Sequence, residues 1–177
     1  AVLTNHVVAG DVRSTDLSTG YFSSVSATPF DAALNTSLYI STEDGVKING
    51  ASTVIGADNV VSNGVIHAVD AVILPANIVT FATSNPIFSS LVAALTRADL
   101  TVDFVTALSG AGPLTVFAPT NDAFQALLDS NADWTTLGDI PVDVLEKVLL
   151  YHVTAAGNVR STDLSEGQVV PTLLTDN

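Results

Sequence analysis

The chain of 177 residues contains no cysteine and no methionine. Without cysteine there are no disulfides, no thiolate nucleophile and no zinc–thiolate site. Basic residues are scarce as well: five Lys and Arg stand against 18 Asp and Glu, a formal net charge of −13. Neutralising phosphates takes clustered Lys and Arg, so this balance argues against a nucleic-acid partner. It argues equally against electrostatic docking on anionic lipid. It suits high solubility, a salty medium or divalent cations. No apolar run approaches the roughly 20 residues that a membrane-spanning helix needs, so no membrane insertion of this segment is expected. The chain starts at Ala1 without a signal peptide. It is expected to be a mature or excised piece whose targeting signal is not included.

What is present is a chain that should fold. Hydrophobic residues make up 47% and charged residues 13%, enough for a core of ordinary domain size. An internal repeat is the most informative feature. Leu3 to Gly20 runs LTNHVVAGDVRSTDLSTG, and Leu149 to Gly167 runs LLYHVTAAGNVRSTDLSEG. VRSTDLS is identical in both, and His6 corresponds to His152. The period matches one domain and exceeds any solenoid turn, which takes about 20–50 residues.

Residues 30–75 predict strands, with Asp44-Gly45 and Asn63-Gly64 as hairpin turns. Residues 76–165 predict mostly helix. Pro86 opens one helix with Ile87, Phe88, Leu91, Val92 and Leu95 inward. Phe104, Val105 and Leu108 lie on a second. Thr120 caps a third carrying Phe124, Leu127 and Leu128, and Pro141 starts a fourth with Leu145, Val148 and Leu149 inward. Leu114–Ala118 and the segment after His152 add short strands. Leu114, Val116, Phe117, Phe124, Leu127, Leu149 and Val153 are the expected core.

Residues 115–124, TVFAPTNDAF, resemble the first signature of the fasciclin-like family. LLYHV at 149–153 resembles its second signature, and NGVIHAVDAVILP at 63–75 its closing strand. The resemblance spans almost the whole chain. It implies an α+β fasciclin-like fold, a β-rich wedge or sandwich with a cluster of helices, in permuted order along this chain. Residues 1–75 are similar to the C-terminal, β-rich part of one domain. Residues 76–177 are similar to the N-terminal, helical part of the next, through its second signature. The halves either complement each other, within a chain or between chains, or are adjacent half-modules of a longer array. Complementation is the favoured expectation, because neither half alone covers its apolar face and free edges. Residues 165–177 show no regular pattern and are expected to form a loose tail in an isolated monomer.

The function implied by the resemblance is an extracellular or cell-surface adhesion module of a tandem array, not an enzyme. The expected partners are other fasciclin-like domains of the same or neighbouring chains, or an unidentified surface protein or glycan. The alternative is a structural subunit of an extracellular fibre joined by half-domain complementation; a surface hydrolase is the third reading. The interaction residues implied by the family are Thr120, Asn121, Asp122, Tyr151 and His152. Pro141–Leu145 stands where some animal members carry an integrin-binding sequence, but integrin binding is not carried over on so loose a match.

Each candidate also has a structural reading. His6, His67 and His152 could bind metal or act as bases, or be half-buried and bonded to loops. Residues 120–122 are the expected partners of His152. Thr120, Asn121 and Asp122 equally describe a helix cap with a favourable first-turn acid. Ser14, Asp16 and a histidine suggest a triad, but no Gly-x-Ser-x-Gly elbow accompanies them. Arg13 is instead expected to pair with an Asp. Asp129, Asp133, Asp139 and Asp143 could hold calcium, but their spacing lacks the Asp-x-Asp-x-Asp-Gly pattern and suits a solvated loop. No cofactor and no metal is otherwise expected, since phosphate loops and paired glycosidase carboxylates are absent.

Overall fold

A computed structural model describes residues 2–175. The chain divides into two compact units, residues 1–85 and 86–177.

The first unit is a sequential antiparallel meander of β1 (Gly20–Ala27), β2 (Asn35–Ser41), β3 (Lys47–Ile48), β4 (Ser52–Val61) and β5 (Gly64–Val69), followed by α1 (Ile78–Ser84). Leu38, Ile40, Ile48 and Ile73 form its buried core, with Val8, Leu17 and Phe22 packed alongside. β2 is buried on both faces. Leu38 and Ile40 face the core, and Tyr39 turns the other way against the Tyr21 ring, 5.3 Å away. Phe81 of α1 packs edge-on against Tyr21 at 5.7 Å, and Asn85 donates to the Tyr21 hydroxyl. Asn77 caps α1 by accepting from the Thr80 N–H at 2.8 Å. Gly50, at φ +68°, lies where a Cβ would come within 2.9 Å of Ser84 Oγ, so a side chain there would meet α1.

Asp44-Gly45 lies at the turn between β2 and β3, with Gly45 at φ +79°, but the strands pair only as far as Ser41 and Lys47, so the loop spans residues 42–46 and Val46 lies outside the strand. The second hairpin differs by one residue: Val61 pairs with Gly64, so Ser62-Asn63 is the loop and Gly64 opens β5. Bulges in β4, one of them beside Asp58 at φ +58°, shift the register and bring this about. β1 was not expected. Its inward positions include Ser24 and Ser26, both buried, while Val25 points outward. The strand keeps its period of two with polarity reversed, so hydropathy does not betray it. Ser24 Oγ and Thr36 Oγ1 lie 2.8 Å apart, and Thr36 donates to Asn5 Oδ1 at 2.9 Å, so the polar interior is satisfied.

The second unit contains α2 (Ser89–Leu95), α3 (Phe104–Leu108), β6 (Thr115–Val116), α4 (Asn121–Asp129), α5 (Val142–Tyr151) and β7 (Val153–Thr154), with β6 and β7 antiparallel. Leu91, Ala94, Phe104, Phe124, Leu128, Ile140, Leu145 and Leu149 form the core. Two of the helices, α3 and α4, start at polar caps: Asp103 accepts from Thr106 N–H at 3.0 Å, and Thr120 from Ala123 N–H at 3.4 Å. The segment expected to be a loose tail is tied at one point, where Leu173 N–H donates to Val153 O at 2.8 Å; its residues 176–177 lie outside the described residues. Arg97 bridges to the loop before α5, donating to the carbonyls of Leu137 and Ile140, each at 2.8 Å. Together with the helices and short strands of both units, this is an α+β architecture.

The expected core needs correction. Phe124, Leu149 and Val153 are buried, and Leu127 packs against the cluster. Leu114 and Val116 are only half-buried, and Phe117 is 44% exposed. Phe117 lies just beyond β6, and a two-stranded ladder of two residues per strand covers little of either face. Ile87 is likewise exposed, because residues 86–88 form a 3₁₀ turn and α2 begins only at Ser89.

Asp139 serves as a cap. Its Oδ2 accepts from the N–H and hydroxyl groups of both Thr135 and Thr136, at 2.7–3.0 Å. These bonds hold its pKa at about 2, the Thr135 hydroxyl foremost. A depressed carboxylate pKa stabilises the fold above the ordinary value, and that contribution is lost as pH falls through the folded value. Asp139→Ala should therefore be less stable than wild type at neutral pH. Urea unfolding at a series of pH values should show the gap narrowing as pH falls from about 4 towards 2. A gap independent of pH would mean the carboxylate charge contributes nothing.

Candidate interaction surface

The residues implied by the resemblance fall into three roles. Thr120 and Asn121 work within the fold. Thr120 caps α4, and the Asn121 side chain accepts from Ser90 N–H (2.9 Å) and Ser89 Oγ (3.2 Å) while donating to Pro86 O at 3.0 Å. Asn121 thus fixes the start of α4 against the start of α2. Asp122 is exposed in the first turn of α4, where a negative charge meets the positive end of the helix.

Tyr151 ends α5 and is 63% exposed, its ring edge-on to that of His152 at 6.4 Å. His152 Nδ1 lies 2.7 Å from Val148 O, one turn back, and its backbone carbonyl accepts from Phe117 N–H at 2.9 Å. This places the exposed Phe117 beside the Tyr151–His152 pair. The expected bond between His152 and residues 120–122 is not found: the imidazole turns to its own helix, and Asn121 is taken up by residues 86–90. Phe117 is the residue that sequence reasoning missed, because an apolar residue in an apolar run looks like core.

The other two histidines hold the first unit together. Ile73 N–H donates to His6 Nε2 at 2.9 Å, so the ring proton sits on Nδ1 and donates to Val2 O at 2.9 Å. His67 does the reverse, accepting from Asp58 N–H at Nδ1 and donating from Nε2 to Val12 O at 2.9 Å. Both rings line a cavity of about 440 Å³ with otherwise largely apolar walls, including Val8, Phe22, Ile40 and Val54. Ser14 N–H and Oγ both donate to the Asp58 carboxylate, which holds that acid below the ordinary range. The serine hydroxyl is thus bound to a carboxylate and not to an imidazole, which is not nucleophile–base geometry. Arg13 pairs with Asp11 at 3.0 Å, an exposed local contact.

Two more of the candidate acids have local partners: Asp129 accepts from Gln125, and Asp143 lies 3.8 Å from Lys147. Among the described residues no group of three or more His, Asp or Glu is placed to hold a metal ion. Among them, too, no single helix is long and apolar enough to cross a membrane.

Comparison with known proteins bears on the same segments. The chain is 46% identical over 92 residues to Protein sll1483 of Synechocystis sp., covering 52% of this chain and 48% of that protein. It is 28% identical over 187 residues to Stabilin-2 of Mus musculus, covering 98% of this chain and 6% of that protein. The chain therefore spans about half, or much less, of the length of these relatives. A FAS1 domain pair from the insect cell adhesion molecule Fasciclin I superposes with a TM-score of 0.49 at 18% identity, over 86% of this chain and 52% of that structure. The fasciclin domain model matches residues 1–75 and 86–177, and the chain belongs to the fasciclin domain family.

Proposed function

We propose that this chain is an extracellular adhesion module of a tandem fasciclin-like surface protein, and that Phe117, Asp122, Tyr151 and His152 contact its partner. Fasciclin domains are in general adhesion or interaction modules. The observation that carries the reading is two exposed aromatics, Phe117 and Tyr151, at one end of the β6–β7 ladder, where Phe117 N–H bonds the carbonyl of His152, the residue after Tyr151. Exposed aromatics on a rigid frame are the usual anchors of an interface. The acidic charge keeps such a surface soluble and selects against anionic partners. The partners proposed are neighbouring fasciclin-like domains or a surface protein or glycan. Tandem copies would raise avidity where each contact is weak.

Beads coated with the chain test this. They should attach to cell surfaces or to extracellular matrix, and Tyr151→Ala and Phe117→Ala should each weaken attachment by about tenfold, the loss of one modest anchor. Attachment unchanged in both variants, or none to any surface, would refute the reading.

A second reading, structural assembly through half-domain complementation, is favoured by a separate observation: Leu149 and Val153 are buried where their counterparts Leu3 and Val7 are exposed, and Tyr151 is exposed where Asn5 is buried.

A further inference from the structure

Of the asparagines in the chain, only Asn49 and Asn63 precede a glycine, and both lie in the β-meander. That pairing has a chemistry of its own. The backbone nitrogen of the following residue can attack the asparagine side-chain carbonyl and close a five-membered ring, one reason asparagine is thermolabile. Most residues hinder the approach with their Cβ, and glycine has none. Ring closure then depends on whether the fold leaves the two atoms free to meet.

At Asn49 the fold holds them apart. Asn49 is 6% exposed and its side chain is bonded at both ends: Oδ1 accepts from Tyr39 N–H at 2.9 Å, and Nδ2 donates to Leu74 O at 3.5 Å. Its own N–H donates to Tyr39 O at 2.8 Å. Gly50 is itself crowded, since a Cβ there would come within 2.9 Å of Ser84 Oγ. Turning the amide towards Gly50 N would break both side-chain bonds at a buried position, which is costly.

Asn63 lacks each restraint. It is exposed, the second residue of the two-residue loop between β4 and β5. Its side chain has no hydrogen-bond partner among the described residues. A Cβ at Gly64 would meet nothing within 4 Å, so the space around the attacking nitrogen is open. The Val61–Gly64 pair closes the turn at the end of the ladder, where strands open most readily. Asn59 on the same hairpin is different: its Nδ2 donates to Gly56 O at 3.2 Å and to Ile66 O at 3.1 Å, and the branched Val60 follows it.

We propose that Asn63 is a site of spontaneous covalent modification, which the fold leaves open to deamidation while it protects Asn49. Gly64 N bonds to Asn63 Cγ and gives its proton to solvent. The Cγ–Nδ2 bond breaks, and the amide nitrogen leaves as ammonia. Water then opens the cyclic imide. Opening between Cγ and Gly64 N leaves aspartate. Opening between the main-chain carbonyl carbon of residue 63 and that nitrogen leaves isoaspartate, with the chain routed through Cγ and lengthened by a methylene. The sum is amide plus water to carboxylic acid plus ammonia, and no other reactant enters.

Either product sets a carboxylate where charge is otherwise missing. Residues 48–69 hold one acid, Asp58, and Ser14 occupies it. Beside the loop, Val60, Val61 and Ile66 are 58%, 44% and 56% exposed. Deamidation thus turns an uncharged, apolar hairpin end into an acidic one. This chemistry is independent of the contacts proposed for Phe117 and Tyr151.

The test is a time course on the folded full chain, kept warm at mildly alkaline pH and sampled by ion exchange and by peptide mapping with fragment sequencing. A more acidic species should accumulate, its mass gain located at Asn63, with both aspartate and isoaspartate present. Asn63 should convert at least about tenfold faster than Asn49, which reacts only from a locally opened state. In guanidinium chloride the two should convert at similar rates. Asn63→Gln, whose longer side chain would need a six-membered ring, should give no acidic product at the hairpin. Equal rates in the folded chain, or Asn49 converting while Asn63 stays intact, would overturn the proposal. Aspartate formed without isoaspartate would rule out the cyclic imide, and a contrast that persists in denaturant would rule out protection by the fold.

Discussion

Leu149→Ala is expected to lower the stability of the second unit by about 2–5 kcal/mol, while Leu3→Ala changes the first unit by no more than about 0.5 kcal/mol. The two leucines occupy the same place in the repeat, four residues before a valine. Leu149 is 2% exposed in the cluster with Leu145, Phe124 and Leu91, so truncation leaves a cavity lined by side chains of three helices. Leu3 is 84% exposed and has little buried apolar surface to lose. Thermal or urea unfolding of both variants measures the contrast. Equal losses would mean that Leu3 is covered in solution.

The second large effect separates two aromatics of one motif. Phe124→Ala should cost about 3–5 kcal/mol, the range for a buried aromatic. Phe117→Ala should cost less than about 1 kcal/mol, since its side chain already meets solvent. Phe124 lies on the inner face of α4 with Leu128, one turn on. The hydrogen bond from Phe117 N–H to His152 O is a backbone one, which alanine retains. If the Phe117 variant unfolds as readily as the Phe124 variant, Phe117 is core, and the proposed surface loses one of its two anchors.

The parts legible in the sequence were those with a strong local code. Thr120 as a cap, Phe124 and Leu128 at helical spacing, and the strand after His152 follow from side-chain chemistry within a few residues. The fasciclin motifs carried the family, and the family model matches the same segments. What escaped depends on partners distant in sequence. β1 hides because its buried positions are serines, whose partners Thr36 and Asn5 lie in other segments. Asp58 bears no motif, yet at positive φ it holds Ser14 across 44 positions of sequence. At the surface the cap residues were legible as caps. The exposure of Phe117 was not, because hydropathy cannot tell a strand covered on both faces from a two-residue ladder covered on one. The opposite burial of Leu3 and Leu149 lies beyond any local pattern, since their surroundings share the same repeat.

The decisive contrast is that one copy of VRSTDLS is docked and the other is open. Backbone amide hydrogen exchange of the dilute monomer tests it most directly. Ser14 N–H donates to Asp58 at 2.8 Å and Ile73 N–H to His6 at 2.9 Å, so both amides should exchange slowly. The Ser161 amide, in the same sequence but with no such acceptor among the described residues, should exchange at least about tenfold faster than that of Ser14. Equal rates at Ser14 and Ser161 would contradict this, because the two copies would then share one environment.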